Sequence, residues 1–297
     1  MDSNHPLRIT QSEALHQRVM QQILDKVQDT PYVLKGGTAL LFTRNLDRHS
    51  TDLDFDSAKQ INIEGRIRDG LKAADVELKS LKKVKDTATV QRYKIHYLDP
   101  VDGQDRLLKV ETSFRQQPKA ESIEVVNGIR TYAVGYMFDL KMDAAENRTE
   151  ARDLYDLAHL LREYGNQLSS VQIVRAEAFS HDMDGLVALY SSSFETDDVL
   201  KKLTNIDDTV IAFREAVEQQ MQREDQRLAL VPQQAIAPSS AQQTLNESAL
   251  KSCWWLSETF GEQREDGAKV WEAGNFIFTA QQESLSVFCT KREETIL

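Results

Sequence analysis

The chain has 297 residues, 40% hydrophobic and 28% charged, a composition that fits a folded soluble protein with room for two domains. It contains no run of about 18 apolar residues, so a membrane span is not expected. Its two cysteines, Cys253 and Cys289, are too few for a disulfide framework or a cysteine-based zinc site.

The formal net charge of −11 is unevenly spread: residues 1–130 hold 21 Lys+Arg against 19 Asp+Glu, and the acidity belongs to the remainder. A near-neutral N-terminal half with local basic stretches can face a polyanion. The opening MDSNHPLRIT lacks a basic-then-apolar leader, so a cytoplasmic location is expected.

In chain order, Thr10 and Glu13 stand at capping-box spacing, and Leu15, Val19, Ile23 and Val27 form one helical stripe that Thr30-Pro31 closes. Tyr32 to Leu34 reads as a buried strand, Lys35-Gly36-Gly37-Thr38 as a turn, and Ala39 to Thr43 as the start of a helix. Asp52 to Asp56, DLDFD, alternates acid with apolar, as an edge-exposed, core-anchored strand would.

Residues 61–74 read as a helix. From Val76 to Phe114 the period changes to two, with a turn at Asp99 to Gly103, and a further hairpin is expected at Asn127-Gly128. From about residue 136 to 229 the pattern is helical, with a break near Asn147. Residues 232–246, PQQAIAPSSAQQTLN, read as a linker. The segment 247–297 holds all three Trp (Trp254, Trp255, Trp271) and alternates at Phe276/Phe278 and Leu285/Val287/Cys289, so a small β-rich module is expected there. Its Trp residues suit its own core, base stacking or a partner surface. The expected organisation is a mixed α+β core over 1–135, a helical domain over 136–231, the linker, and the module.

The chemistry concentrates in Lys35 to Phe55, KGGTALLFTRNLDRHSTDLDF. A Gly-Gly turn between strand and helix lets backbone N–H groups approach a phosphate. Asp52 and Asp54, two apart in a strand, project from one face while Leu53 and Phe55 face the core. Two carboxylates on one face make a hard-oxygen site suited to Mg²⁺ carrying phosphates. Glu111, which shares a strand face with Lys109, is the candidate third acid; the alternative is a plain surface residue. Asp56 lies on the same face, farther along.

Gly36-Gly37-Thr38, Ser50 and Asp52-Leu53-Asp54 resemble the glycine turn and paired acids of the nucleotidyltransferase superfold. More narrowly, the chain resembles the AbiEii/AbiGii-type nucleotidyltransferase toxins. Lys109-Val110-Glu111 is similar to the strand bearing their third acid. Lys141 to Arg148 resembles their Lys, Ala, Arg pattern on a helix, and Arg152-Asp153-Leu154-Tyr155-Asp156-Leu157 their closing motif. The resemblance covers roughly residues 30–160.

It implies a nucleotidyltransferase-like mixed sheet with flanking helices, and Mg²⁺- or Mn²⁺-dependent transfer from an NTP to RNA, with the tRNA 3′ end as the expected acceptor. It also implies a block of translation and a separately encoded antitoxin as partner. Asp52, Asp54 and Glu111 would be the metal ligands. Gly36, Gly37 and Thr38 would hold the outer phosphates, and Lys141 would contact the triphosphate. Ser50 would orient substrate or close a turn. Arg148 and Arg152 would bind phosphate or hold Asp156 in place. Two other readings stand beside this one: nucleotidylation of a protein such as the antitoxin, and a non-catalytic NTP-binding interaction protein. The basic stretch Lys79, Lys82, Lys83 and Lys85 suits an RNA backbone or a lysine-protected sheet edge.

Overall fold

In the computed structural model, which describes residues 9–230, 261–264, 267–273, 276–281, 284–289 and 294–295, the first helix is α1, Gln11–Val27. Its capping box is complete: the Thr10 hydroxyl accepts from the Glu13 N–H, and the Glu13 carboxylate accepts from the Thr10 N–H. Leu15, Val19, Ile23 and Val27 are buried as one stripe.

The chain divides into two compact units, Met1–Lys141 with Glu195–Thr204, and Met142–Phe194 with Asn205–Leu297. The division falls after Lys141 rather than after residue 135. The stretch 195–204 returns to the first unit, where Lys202 Nζ lies 3.5 Å from Glu13. The expected linker at 232–246, together with Cys253, Trp254 and Trp255, lies outside the described residues.

The first unit is built on a seven-stranded mixed sheet. Its strands are β1 (Val33–Lys35), β2 (Asp52–Asp56), β3 (Glu77–Asp86), β4 (Val90–Leu98), β5 (Asp105–Ser113), β6 (Ile123–Val126) and β7 (Ile129–Tyr132), in the order β3-β4-β5-β2-β1-β7-β6. The β1–β7 and β2–β5 pairs are parallel; the other pairs are antiparallel. The β6–β7 hairpin turns at Asn127 and Gly128, both at positive φ, as a two-residue Asn-Gly connection requires.

Two sequence expectations change here. β2 is an interior strand between β5 and β1, not an edge, so its period-two pattern reflects one buried face in mid-sheet. The glycines, read as a turn, are the first turn of α2, Gly36–Arg44, which starts directly at the end of β1. Gly36 reaches φ +74°, a conformation that permits this strand-to-helix junction without a connecting loop.

α3, Glu64–Ala73, follows β2. The apolar face of the sheet, with Leu53, Phe55, Tyr93, Ile95, Leu108 and Val110 at 0–2% exposure, is the core of this unit. Gly70 of α3 sits so close to the backbone of Ile23 on α1 that a Cβ there would overlap it.

α4, Val134–Asn147, carries the chain out of this unit. The second unit continues with α5 (Ala151–Tyr164), α6 (Ser170–Phe179), α7 (Met183–Glu195) and α8 (Ile206–Leu230). The break expected near Asn147 falls between α4 and α5. Asn147 closes α4, its amide donating to the Asp143 carbonyl at 2.7 Å.

The described part of the C-terminal segment forms a five-stranded antiparallel sheet of β8 (Glu262–Gln263), β9 (Lys269–Ala273), β10 (Phe276–Gln281), β11 (Ser284–Cys289) and β12 (Glu294–Thr295), ordered β12-β11-β10-β9-β8. Among the described residues, no helix is long and apolar enough to cross a membrane.

Candidate active site

The site forms on the polar face of the first sheet because β2 and β5 run parallel in one register. Asp52 stands beside Lys109, and Asp54 beside Glu111. Neighbouring strands lie about 4.8 Å apart and paired residues share a face. The three sequence-predicted acids, 52, 54 and 111, therefore occupy adjacent positions although Asp54 and Glu111 are 57 positions apart in the chain.

Lys109, to which the sequence assigns no role, lies between the acids. Its Nζ is 2.8 Å from Asp52 Oδ2 and 3.7 Å from Asp54 Oδ1. Burial works against its charge, but the Asp52, Asp54 and Glu111 carboxylates together raise its pKa above the usual lysine value. Glu111 is turned the other way, ion-paired with Arg92 Nε of β4. Burial, offset in part by Lys109 and reinforced by the like charges of Asp52 and Glu111, raises the Asp54 carboxyl above the ordinary carboxylate range.

Asp56 is separate from this cluster. It is 4% exposed, held by Lys35 Nζ at 2.6 Å and by the Tyr132 hydroxyl, which donates at 3.0 Å. It works as a buried anchor between β1, β2 and β7.

The N-terminus of α2 lies against the acids. A Cβ on Gly36 would be 3.9 Å from Asp54 Oδ2. Gly37 is constrained from the other side: a Cβ there would overlap the guanidinium of Arg48, a fully buried side chain. The Thr38 hydroxyl is committed internally, bonded to Ser50 Oγ at 2.6 Å and donating a short bond to the Asp52 carbonyl. Thr38 and Ser50 are both buried and tie α2 to the start of β2. His16 of α1 reinforces the same point. Its Nε2 lies 2.9 Å from the Thr51 carbonyl and its Nδ1 2.6 Å from the Tyr97 hydroxyl. A carbonyl can only accept, so Nε2 carries the proton and Nδ1 accepts from Tyr97.

Lys141 lies on α4 at 7% exposure, in the same unit as the acids. Arg148, Arg152 and Asp156 belong to the second unit. There Arg148 makes a two-pronged pair with buried Asp153, at 2.8 and 3.1 Å, and this pairing raises the arginine pKa further. Asp153, rather than Asp156, is thus the carboxylate that Arg148 holds. Asp156 is fully buried in α5, whereas Arg152 is half-buried.

Sequence reasoning misses Lys109, Arg92, Arg48 and His16 as site-shaping residues. Only Lys109 leaves a local signal, since it alternates onto the face of Glu111.

The donor set fits a divalent cation: two adjacent aspartates already hold a cationic group between them, and Asp54 carries charge its surroundings do not fully compensate. Among the described residues, no three His, Cys, Asp or Glu side chains form a ready-made metal cage, in keeping with Glu111 being engaged by Arg92.

This core, a mixed sheet with flanking helices and paired acids on an interior strand, is that of the nucleotidyltransferases. The solved structure of JHP933 from Helicobacter pylori is similar with a TM-score of 0.68 and 32% identity, over 75% of this chain and 97% of that one. A second H. pylori structure, described as a candidate nucleotidyltransferase, is similar with a TM-score of 0.67 and 31% identity, over 74% of this chain and 99% of that one. No curated protein matches the chain. The family of nucleotidyl transferase AbiEii toxins, of a type IV toxin–antitoxin system, matches residues 18–245. The chain belongs to that family, and membership implies a nucleotide substrate and an antitoxin partner.

Proposed function

We propose that the protein transfers a nucleotidyl group from an NTP to an RNA hydroxyl, at the tRNA 3′ end, and so blocks translation in the cytoplasm until an antitoxin restrains it. The observation that supports this most is the parallel β2–β5 register, which sets Asp52, Asp54 and Glu111 side by side against the first turn of α2.

Asp52 and Asp54 would hold Mg²⁺ or Mn²⁺, with Glu111 completing the set once its carboxylate leaves Arg92. When bound, the cation supplies positive charge against the triphosphate and the departing pyrophosphate. Lys109 would give up its place between the aspartates and stay as a neighbouring positive charge. The backbone N–H groups of Gly36 and Gly37, at a helix N-terminus, suit phosphate oxygens. Lys141 is assigned to the triphosphate as a point charge. Thr38, Ser50 and His16 position the strand that bears the aspartates rather than touching substrate.

The test is incubation of the protein with each labelled NTP and a tRNA pool, with Mg²⁺ and with chelator. Label should appear on RNA only with the cation, and Asp54→Asn should lower the rate by roughly a hundredfold or more, the scale of removing one electrostatic interaction from the transition state. Absence of labelled RNA with all four nucleotides and either cation sinks the proposal. Label on a polypeptide instead transfers the activity to a protein acceptor.

A further inference from the structure

The polar face of the first sheet continues beyond the acids, and its register shows what lies there. Asp52 on β2 stands opposite Lys109 on β5, Lys109 opposite Lys94 on β4, and Lys94 opposite Lys82 on the edge strand β3. The next row runs Asp54, Glu111, Arg92, Lys85. Between them, Leu53, Val110 and Tyr93 stand in register and are buried on the apolar face. A row of three lysines on three successive strands, about 10 Å from Lys109 to Lys82, thus leads from beside the aspartates to the sheet edge.

Like charges directly opposite one another on a sheet are unfavourable. Protection of an exposed edge accounts for lysines on β3 but not for Lys94, which is on an interior strand. The four basic residues of β3 also differ among themselves. Lys79 is paired with Glu77 and Lys83 with Asp86. Lys82, Lys85 and Lys94 are exposed, and among the described residues no carboxylate is paired with any of them. The register shift between Lys83 and Lys85 puts Lys82, opposite Lys94, and Lys85, opposite Arg92, on the same face as the acids.

We infer that Lys82, Lys85 and Lys94 form the track along which the sugar–phosphate backbone of the acceptor RNA crosses the sheet to bring its terminal hydroxyl to Asp52 and Asp54. The inference deepens the proposed transfer to RNA and rests on that reading. Phosphates lying on the row relieve its self-repulsion, and binding through the backbone alone positions the strand without reading sequence. Lys109, at the inner end of the row, links track and acids.

The experiment is binding of 5′-labelled tRNA to the full chain, with no NTP present, over a salt series. It compares the wild type, K82Q/K94Q, and the control K72Q/K119Q, which removes the same charge elsewhere. K82Q/K94Q should weaken binding roughly tenfold or more at about 0.1 M salt, and flatten the slope of log K against log salt by about 1.4, about 0.7 for each phosphate no longer neutralised. The control should bind as the wild type does, and NTP binding should be unchanged in both variants. Equal weakening in the control, an unchanged slope in K82Q/K94Q, or no tRNA binding by the wild type overturns the track. Binding that depends on Lys82 and Lys94 in a protein that labels no RNA supports the track while refuting the transfer reaction, so the two failures are separable.

Discussion

His16 shows how a side chain outside the acidic cluster can hold the strand that bears it. The ring is 6% exposed, edge-on to His49 at 5.9 Å, and bonded to Tyr97 and to the Thr51 carbonyl one residue before Asp52. Burial, only partly offset by the Thr51 carbonyl and the charge of Asp52, lowers its pKa below the ordinary histidine value; Arg106 adds to the lowering and Asp99 opposes it. Protons therefore bind the unfolded chain more tightly than the folded one. The stability held by neutral His16 is complete above about pH 6.5 and is lost as pH falls through the folded value. Thermal melts from pH 7.5 to 5 should show a steeper decline for the wild type than for His16→Gln, even though the variant starts lower. Parallel declines would mean that another group sets the acid sensitivity. At this scale the sequence is readable only where the signal is local. Asp52 and Asp54 announce a shared face because i and i+2 always share one in a strand. Nothing near Gly37 indicates that Arg48 fills the space beneath it.

Among elements, the junction of β1, α2 and β2 carries the site. Reading Lys35 to Thr38 as a turn locates the glycines but not their job. The helix starts at Gly36 itself, so its first N–H groups lie at the end of β1, which pairs with β2 through Lys35 and Asp54. Which strands become neighbours is set by long-range register that no local period encodes. DLDFD consequently looks like an edge, and Glu111 is named only from its alternation with Val110 and the family resemblance of its strand. The basic stretch at 79–85 is visible, but that Lys82 and Lys85 share a face depends on a register shift that exists only against β4. Thr38 is the residue that locks this junction. Thr38→Val keeps the shape while leaving Ser50 Oγ and the Asp52 carbonyl without their shared partner. A loss of about 1–3 kcal/mol in urea unfolding is expected, as for a buried polar group left unsatisfied. A change within error would mean that other partners hold α2 to β2.

For the whole molecule, a substrate site of this kind is a store of unfavourable electrostatics. Two aspartates and a glutamate share one face of a folded sheet, and the protein compensates with Lys109 and Arg92 from its own strands. Any cation that binds the folded chain and not the unfolded one must stabilise the fold by mass action. At ten times its dissociation constant the gain is about 1.4 kcal/mol. For a unit of this size that corresponds to roughly 3–6 °C in the melting temperature. Because the cation has to displace the Lys109 ammonium, Mg²⁺ or Mn²⁺ should act with moderate affinity, so the titration needs to extend into the millimolar range. Chelator should reverse the shift. Asp52→Asn/Asp54→Asn removes both the mutual repulsion of the aspartates and their pairing with Lys109, and the added cation should leave its melting temperature unmoved. The same shift in wild type and double variant would place the cation elsewhere on this acidic chain. No shift in the wild type at saturating cation would mean that Lys109 keeps its place and that the aspartates do not bind metal without nucleotide.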